Sequence, residues 1–373
     1  MQILLTGATG ALGSVLLPKL LEDGHQITVL ARGQENLSPL ARINALLPAS
    51  NKNRVNVIEG DVIAHSLMNF RARNRLVGKV DKIIHAAADV RFDEQFRTDI
   101  MTTNHVGTMN MIALARELKV KEFLFVSTAY VAGNQAVFSE DDLNVGQQFR
   151  NPYEESKYFA ELAVRNFARS NNIRFSIFRP SIIVGSSIDG AIRSFDGYYG
   201  FFKSVCRLTK GLRKRIENPE ERTIVLSCGK DATLNLVQMD WVVSALAYFV
   251  TRPACNRTYH LTHPDPPLVS WVIQSSMEYL GIQEYTLGFD KKPQSKNPLM
   301  VRIQRGVNDA LARYRPYTHG VTNFISSVDE ILPKRIASPP AIDKVQIALF
   351  LDYAVAMDWG EVKHQKAKVL ETA

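Results

Sequence analysis

Residues 1–33, MQILLTGATGALGSVLLPKLLEDGHQITVLARG, decide the fold. Ile3, Leu4 and Leu5 form an apolar run short enough for a buried strand, and Val15, Leu16, Leu17, Leu20 and Leu21 recur at helical spacing. A second apolar run, Ile27 to Ala31, follows Gly24. Strand, glycine turn, helix and strand make one βαβ unit, the context in which a glycine pattern reads as a nucleotide site. Gly7 lets the chain turn off the strand, Gly10 lets backbone N–H groups approach a pyrophosphate, and Gly13 lets the helix lie close to the sheet. The spacing is GxxGxxG, one residue longer between the first two glycines than GxGxxG. A glycine turn without a ligand is the competing reading, and the legible strand and helix on either side count against it.

Position 32 bears on the ligand. A carboxylate selecting an unphosphorylated ribose would stand about twenty residues beyond the glycines. That place holds Arg32, with Arg42 one short polar segment later. A guanidinium pairs with a 2′-phosphate, so NADP(H) is expected over NAD(H). A solvated surface arginine is the alternative.

Across 373 residues the chain is 46% hydrophobic and 22% charged, enough for a large core. No stretch has the length and apolarity of a membrane helix. Met1 runs straight into the first strand, which leaves no room for a signal peptide and points to the cytoplasm. Cys206, Cys228 and Cys255 have neither CxxC pairing nor metal-ligand spacing, so they read as reduced thiols and no metal site is expected. The net charge of +8 suits acidic partners such as nucleotides or an acidic acyl carrier protein. Its densest run, Lys210 to Arg215, reads first as a solvated face. No nucleic-acid motif is present.

Further strands are expected at Val55–Ile58, Lys82–His85 and Glu122–Val126, separated by helical stretches. That alternation implies an α/β fold with a doubly wound parallel Rossmann sheet. Asp61, in Gly60-Asp61-Val62, would sit at the sheet's carboxyl edge within reach of an adenine. Ala86, Ala87 and Ala88 leave room for a cofactor against the backbone, and His85 reads as a packing residue. Asp93 to Leu118 reads as one long helix carrying Asn104, and Glu35 to Leu47 as a further helical stretch. After the Glu122–Val126 strand come Ser127 and Thr128, either of which could hold a substrate carbonyl. Pro152 suits a helix start and places Tyr153 and Lys157 at i and i+4 on one face. A phenol titrates near pH 10, and a lysine one turn away would stabilise the phenolate and lower that value. A surface Tyr and Lys at this spacing is the bland alternative.

TGATGALG, GDV, HAAA, VSTAY, YEESK and FRPSIIVG together resemble the extended short-chain dehydrogenase/reductase superfamily over about residues 1–265. The resemblance implies that Tyr153, Lys157 and Thr128 are catalytic, with Ser127 as the alternative register and Asn104 as the helix asparagine. It implies cofactor contacts from Thr6, Gly7, Thr9, Gly10, Ala11, Leu12, Gly13, Arg32, Arg42, Asp61, Val62, Ala86, Ala87, Ala88, Lys157, Pro180, Ser181 and Ile182. Arg32 with Arg42, the Ser-Thr-Ala-Tyr-Val run, and residues 189–200 resemble the fatty-acyl-CoA reductase (male-sterility) and thioester-reductase branch. In that last stretch Ala191 stands where the branch has Trp, and the Pro after Gly197 is missing.

The expected organisation is an NADP-binding domain of residues 1–185, rejoined by 222–265. Residues 186–221 and 266–373 would form a smaller, mostly helical substrate-binding cap. Phe195, Tyr198, Tyr199, Phe201 and Phe202 are either core or an apolar acyl wall. Trp271–Leu280 and Ile342–Met357 are amphipathic enough to cap the cleft, with Asp343 and Asp352 favouring protein packing over a membrane surface. Lys363–Ala373 reads as a mobile tail. The leading expectation is NADPH-dependent reduction of a coenzyme A or carrier-protein thioester, or another small carbonyl substrate, to aldehyde or alcohol; a homodimer is a candidate assembly. The alternatives are a nucleotide-sugar epimerase/dehydratase, a hydroxysteroid-type dehydrogenase, or a dinucleotide-sensing regulator without turnover.

Overall fold

The computed structural model describes residues 1–34, 36–218, 221–289 and 298–361. The tail expected at 363–373 lies outside them. The chain divides into two compact units, one of 1–181, 239–264 and 323–339, the other of 182–238, 265–322 and 340–373.

The first unit carries a seven-stranded, wholly parallel sheet. Its strands are β1 (Gln2–Thr6), β2 (Gln26–Ala31), β3 (Val55–Glu59), β4 (Lys82–His85), β5 (Glu122–Val126), β6 (Arg174–Pro180) and β7 (Arg257–Leu261). Their order is β3-β2-β1-β4-β5-β6-β7. β4 and β5 are buried along their whole length, so their runs Ile83–Ile84 and Phe123–Val126 are apolar without alternation. Leu4, Ile83, Phe123 and Ile177 join Met111, Leu118 and Val164 in a single core cluster. The doubly wound parallel expectation holds.

Local chemistry explains the glycine turn. Gly7 has φ +75°, and a Cβ there would lie 2.5 Å from the backbone of Ala86 and Ala87 at the end of β4. A Cβ on Gly13 would lie 2.1 Å from the Gly7 carbonyl oxygen, so this glycine serves the loop's own closure as well as helix packing. The helix Gly13–Glu22 follows.

The long helix expected at 93–118 is segmented. A 3-10 turn at Glu94–Phe96 leads into α-helix Arg97–Met101, a π-turn at Thr102–Val106, and α-helix Gly107–Glu117. Asn104 sits in the π-turn, a wide turn that often marks function. In the polar stretch after β2 the helix is Pro39–Asn44, capped by Ser38 accepting from the Ala41 N–H at 3.2 Å.

The unit boundaries differ from the expected ones. Helix Met239–Val250 rejoins the first unit and packs on helix Gly13–Glu22, but residues 222–238 do not return with it. Strand Leu236–Gln238 instead pairs with Ile182–Val184 in the second unit. Conversely, 323–339 joins the first unit, where Asn323–Phe324 pairs with Val137–Phe138.

The second unit is mostly helical. The aromatics of helix Tyr198–Arg215 form its core: Tyr198, Tyr199, Phe201 and Phe202 are all buried. The Tyr199 hydroxyl accepts from the Gly185 N–H at 2.8 Å, and the Tyr198 hydroxyl pairs with Ser276 at 3.2 Å. Phe201 lies edge-on to Tyr314. The core alternative therefore holds for these residues. Helices Val269–Tyr279 and Lys344–Ala356 pack together, with Asp352 bonded to the Tyr279 hydroxyl and Lys344 to Glu278 at 2.7 Å.

Candidate active site

The candidate residues gather at the carboxyl ends of β1, β4, β5 and β6. Tyr153 and Lys157 come from helix Pro152–Asn171, which Asn151 caps by accepting from the Glu154 N–H at 3.0 Å. Pro at the first helical position and acids in the first turn suit that start. Thr128 and Ser127 follow β5 directly.

The Thr128 hydroxyl lies close enough to the Tyr153 phenol to favour its ionised form, while its own hydrogen bonds run to the Pro180 carbonyl at 3.5 Å and from the Tyr130 N–H at 3.3 Å. Burial pushes that phenol up to about 12, against the opposing pull of Thr128. Lys157 is not among the groups that shift this phenol here, and the expected lowering involves Lys157 together with the nicotinamide cation of a bound oxidised cofactor. The ammonium of Lys157 is itself buried, donates to the Val126 carbonyl at 2.6 Å, and lies 4.3 Å above the Phe125 ring centroid. Burial brings this lysine down to about 7, with Glu161 pulling the other way. Ser127 takes no part in the Thr128–Tyr153 pair. Its hydroxyl is buried with no hydrogen-bond partner among the described residues, and so is that of Ser181.

Asn104 is a junction. Its amide donates to Ser156 Oγ and to the Asp89 carbonyl, both at 2.8 Å, and its oxygen accepts from the Asp89 N–H at 2.7 Å. Ser156 in turn donates to the Tyr153 carbonyl at 2.8 Å. His85 is bracketed by Thr6 Oγ1 at 2.7 Å and Thr108 Oγ1 at 3.0 Å, and burial brings it down to about 3. It is a neutral packing residue, as the sequence suggests.

At the other end of the site, the glycine turn leaves donors free. Gly10 is exposed, and the Ala11 and Leu12 amides donate to nothing among the described residues. Arg42 reaches this turn, donating to Thr9 Oγ1 at 3.0 Å and to the Arg32 carbonyl at 2.6 Å. Burial, then the neighbouring Arg32 charge, push Arg42 down. Arg32 projects into solvent, 3.7 Å from the Asp61 carboxylate. Two guanidiniums beside free amides at a helix N-terminus suit a doubly anionic ligand, and the set fits a dinucleotide.

The remaining cofactor candidates are placed as follows. Ala86 and Ala87 are half-buried and Ala88 exposed, Val62 packs against Gly107, and the Pro180 carbonyl lies 3.5 Å from Thr128 Oγ1. Thr6 accepts from the Ala87 N–H at 3.3 Å, so its hydroxyl is engaged by the fold. Ile182 begins the second unit, where its N–H donates to the Asn235 carbonyl. Sequence reasoning missed Phe92, whose ring lies against that of Tyr153 with centroids 5.9 Å apart. It also missed Asp89 and Ser156, the partners of Asn104. Ser156 stands three residues after Tyr153, a spacing at which a hydroxyl can reach back to the preceding turn.

The family model described as Male sterility protein matches residues 5–246. Fatty acyl-CoA reductase 1 of Xenopus laevis is 28% identical over 311 residues, covering 70% of this chain and 57% of that protein. Nonribosomal peptide synthetase asaC of Aspergillus flavus is 25% identical over 360 residues, covering 86% of this chain and 34% of that protein. The chain thus spans little more than half the length of the first of these relatives. Among solved structures, the terminal R domain from the myxalamid PKS-NRPS biosynthetic pathway superposes with a TM-score of 0.77. Its identity is 23%, over 97% of this chain and 92% of that one, a likeness of fold. With its motifs and its parallel sheet, the chain belongs to the Male sterility protein family of extended short-chain dehydrogenase/reductases.

Proposed function

We propose that this chain is an NADPH-dependent oxidoreductase that reduces an acyl thioester, carried on coenzyme A or on an acidic carrier protein, to the aldehyde or alcohol. The observation that carries the reading is the Thr128–Tyr153 hydroxyl pair, one helical turn from the buried Lys157. Kinship with fatty acyl-CoA reductases supports a thioester substrate, and the +8 charge suits a phosphate-bearing or acidic carrier.

A nicotinamide cofactor held by the glycine turn and Arg42 would supply hydride when bound in its reduced form. The chain's own residues manage the oxygen: Thr128 and Tyr153 donate to the substrate carbonyl as negative charge grows on it. Tyr153 then gives up its phenolic proton to that oxygen, and loss of the C–S bond from the resulting hemithioacetal releases thiol and aldehyde. A phenol held near 12 keeps its proton throughout the neutral range, as a proton donor should. Lys157 supplies a cation that can hold a ribose hydroxyl and steady the phenolate left behind. Arg32 and Arg42 would hold a 2′-phosphate.

The test is oxidation of NADPH and NADH, followed at saturating acyl-CoA and separately with nucleotide-sugars. Turnover of thioester with a preference for NADPH that Arg32→Asp weakens about tenfold or more is the expected outcome. Turnover of nucleotide-sugars alone overturns the reading, and a cofactor ratio unmoved by Arg32→Asp removes the 2′-phosphate role.

A further inference from the structure

Tyr198, Tyr199, Phe201 and Phe202 are core, which leaves open what the acyl group of a thioester would pack against. The ring beside the Tyr153 ring belongs to Phe92. It lies 5.9 Å, centroid to centroid, from the Tyr153 ring at a tilt of 48°, and is half-buried. A carbonyl oxygen bonded by Tyr153 and Thr128 sits within about 3 Å of the phenolic oxygen. A carbon substituent on that carbonyl that lies back over the Tyr153 ring meets Phe92.

Phe92 is held there by a built clamp. Asn104 bonds the backbone of Asp89 in both directions, at 2.7 and 2.8 Å. The Asp89 carboxylate takes the Arg91 guanidinium through Nε at 3.0 Å to each oxygen, and Arg91 also reaches Asp99 at 3.3 Å. The same guanidinium stacks 4.0 Å over the Phe96 ring. Asp89 is therefore tied to the π-turn, and Arg91, next to Phe92, to the helix Arg97–Met101 that precedes it. A loop so tethered presents its aromatic at a defined place, which a free loop would not.

We propose that Phe92 is a specificity-determining residue, its ring forming the wall on which the first carbons of the acyl chain pack beside the carbonyl. The inference rests on the thioester-reductase reading. Contact begins beyond the carbonyl carbon, so its contribution grows over the first few methylenes and then stops.

Wild-type protein, Phe92→Ala and Phe92→Leu are compared on acetyl-, butyryl-, octanoyl- and palmitoyl-CoA with NADPH. Phe92→Ala is expected to lower kcat/KM about tenfold on butyryl and longer chains and about twofold or less on acetyl. Phe92→Leu is expected to recover most of the loss, and the KM for NADPH should stay within about twofold in both variants. A uniform loss across all four substrates, or no loss, overturns the assignment. If the wild-type protein turns over none of the thioesters, the functional reading itself fails, and the Phe92 assignment falls with it.

Discussion

The two ends of one pair of strands treat buried charge in opposite ways. Where β4 and β5 begin, Lys82 and Glu122 stand side by side in register, 2.8 Å apart and nearly inaccessible. Lys82 also donates to the Val250 carbonyl at 2.8 Å, and Glu122 accepts from Arg174 and from the Ala254 N–H. Burial raises the Glu122 carboxyl, but those bonds outweigh it and its pKa falls. Where the same strands end, Lys157 has a carbonyl and the Phe125 ring against it but no ion pair among the described residues, and Ser127 and Ser181 have no partner among them. The first end is satisfied and structural. The second leaves its polar groups short of partners, the condition in which they can engage a ligand.

Three substitutions probe that contrast. The largest effect belongs to Tyr153→Phe, which removes the proposed proton donor and should lower kcat by about 10²–10⁴ while leaving binding of the nicotinamide cofactor nearly unchanged. Stopped-flow turnover and fluorescence titration of the cofactor check it, and retention of full turnover would remove Tyr153 from the chemistry. Next, Glu122→Gln leaves the Lys82 charge buried without its carboxylate and should cost about 3 kcal/mol of stability. Urea unfolding measures this, and kcat at a temperature where the variant stays folded should hold. A kcat that falls in proportion would show that the two ends are not independent.

The smallest effect is a slope in pH. Lys157 falls from 10.5 to about 7 on folding, so between those values the unfolded chain binds the additional proton. Stability from this residue therefore rises with pH across that window, by up to about 1.4 kcal/mol per unit, and levels off below it. Lys157→Met should remove that slope. Unfolding midpoints of both proteins between pH 7 and 9 check it, and parallel curves would show that the lysine stays charged in the fold.

Much of this was legible in sequence for local reasons. β1 and β2 are buried beyond their first glutamines and carry the apolar runs Ile3–Leu5 and Val29–Ala31, and Gly7 is marked because only a residue without a Cβ tolerates its φ and the approach of Ala86. The Tyr153 helix announces itself through Asn151 and Pro152. By contrast, the π-turn at Asn104 leaves no trace in the apolar periodicity, so the stretch reads as one uninterrupted helix. The aromatics of 198–202 are as apolar as a substrate wall would be, and composition alone does not separate a wall from a core.

What the sequence determined, then, is what hydrogen bonding, backbone conformation and periodicity decide within one element: the βαβ unit, the i to i+4 placing of Tyr153 and Lys157, and an arginine where an acid would select the other cofactor. The tertiary structure alone decided which distant groups meet. Arg42 reaches Thr9, Thr128 rather than Ser127 acts on the Tyr153 phenol, and the Phe92 ring comes to lie beside that of Tyr153. Those pairings depend on how helices and loops pack over the sheet, and packing is a sum over the whole core that no single stretch encodes.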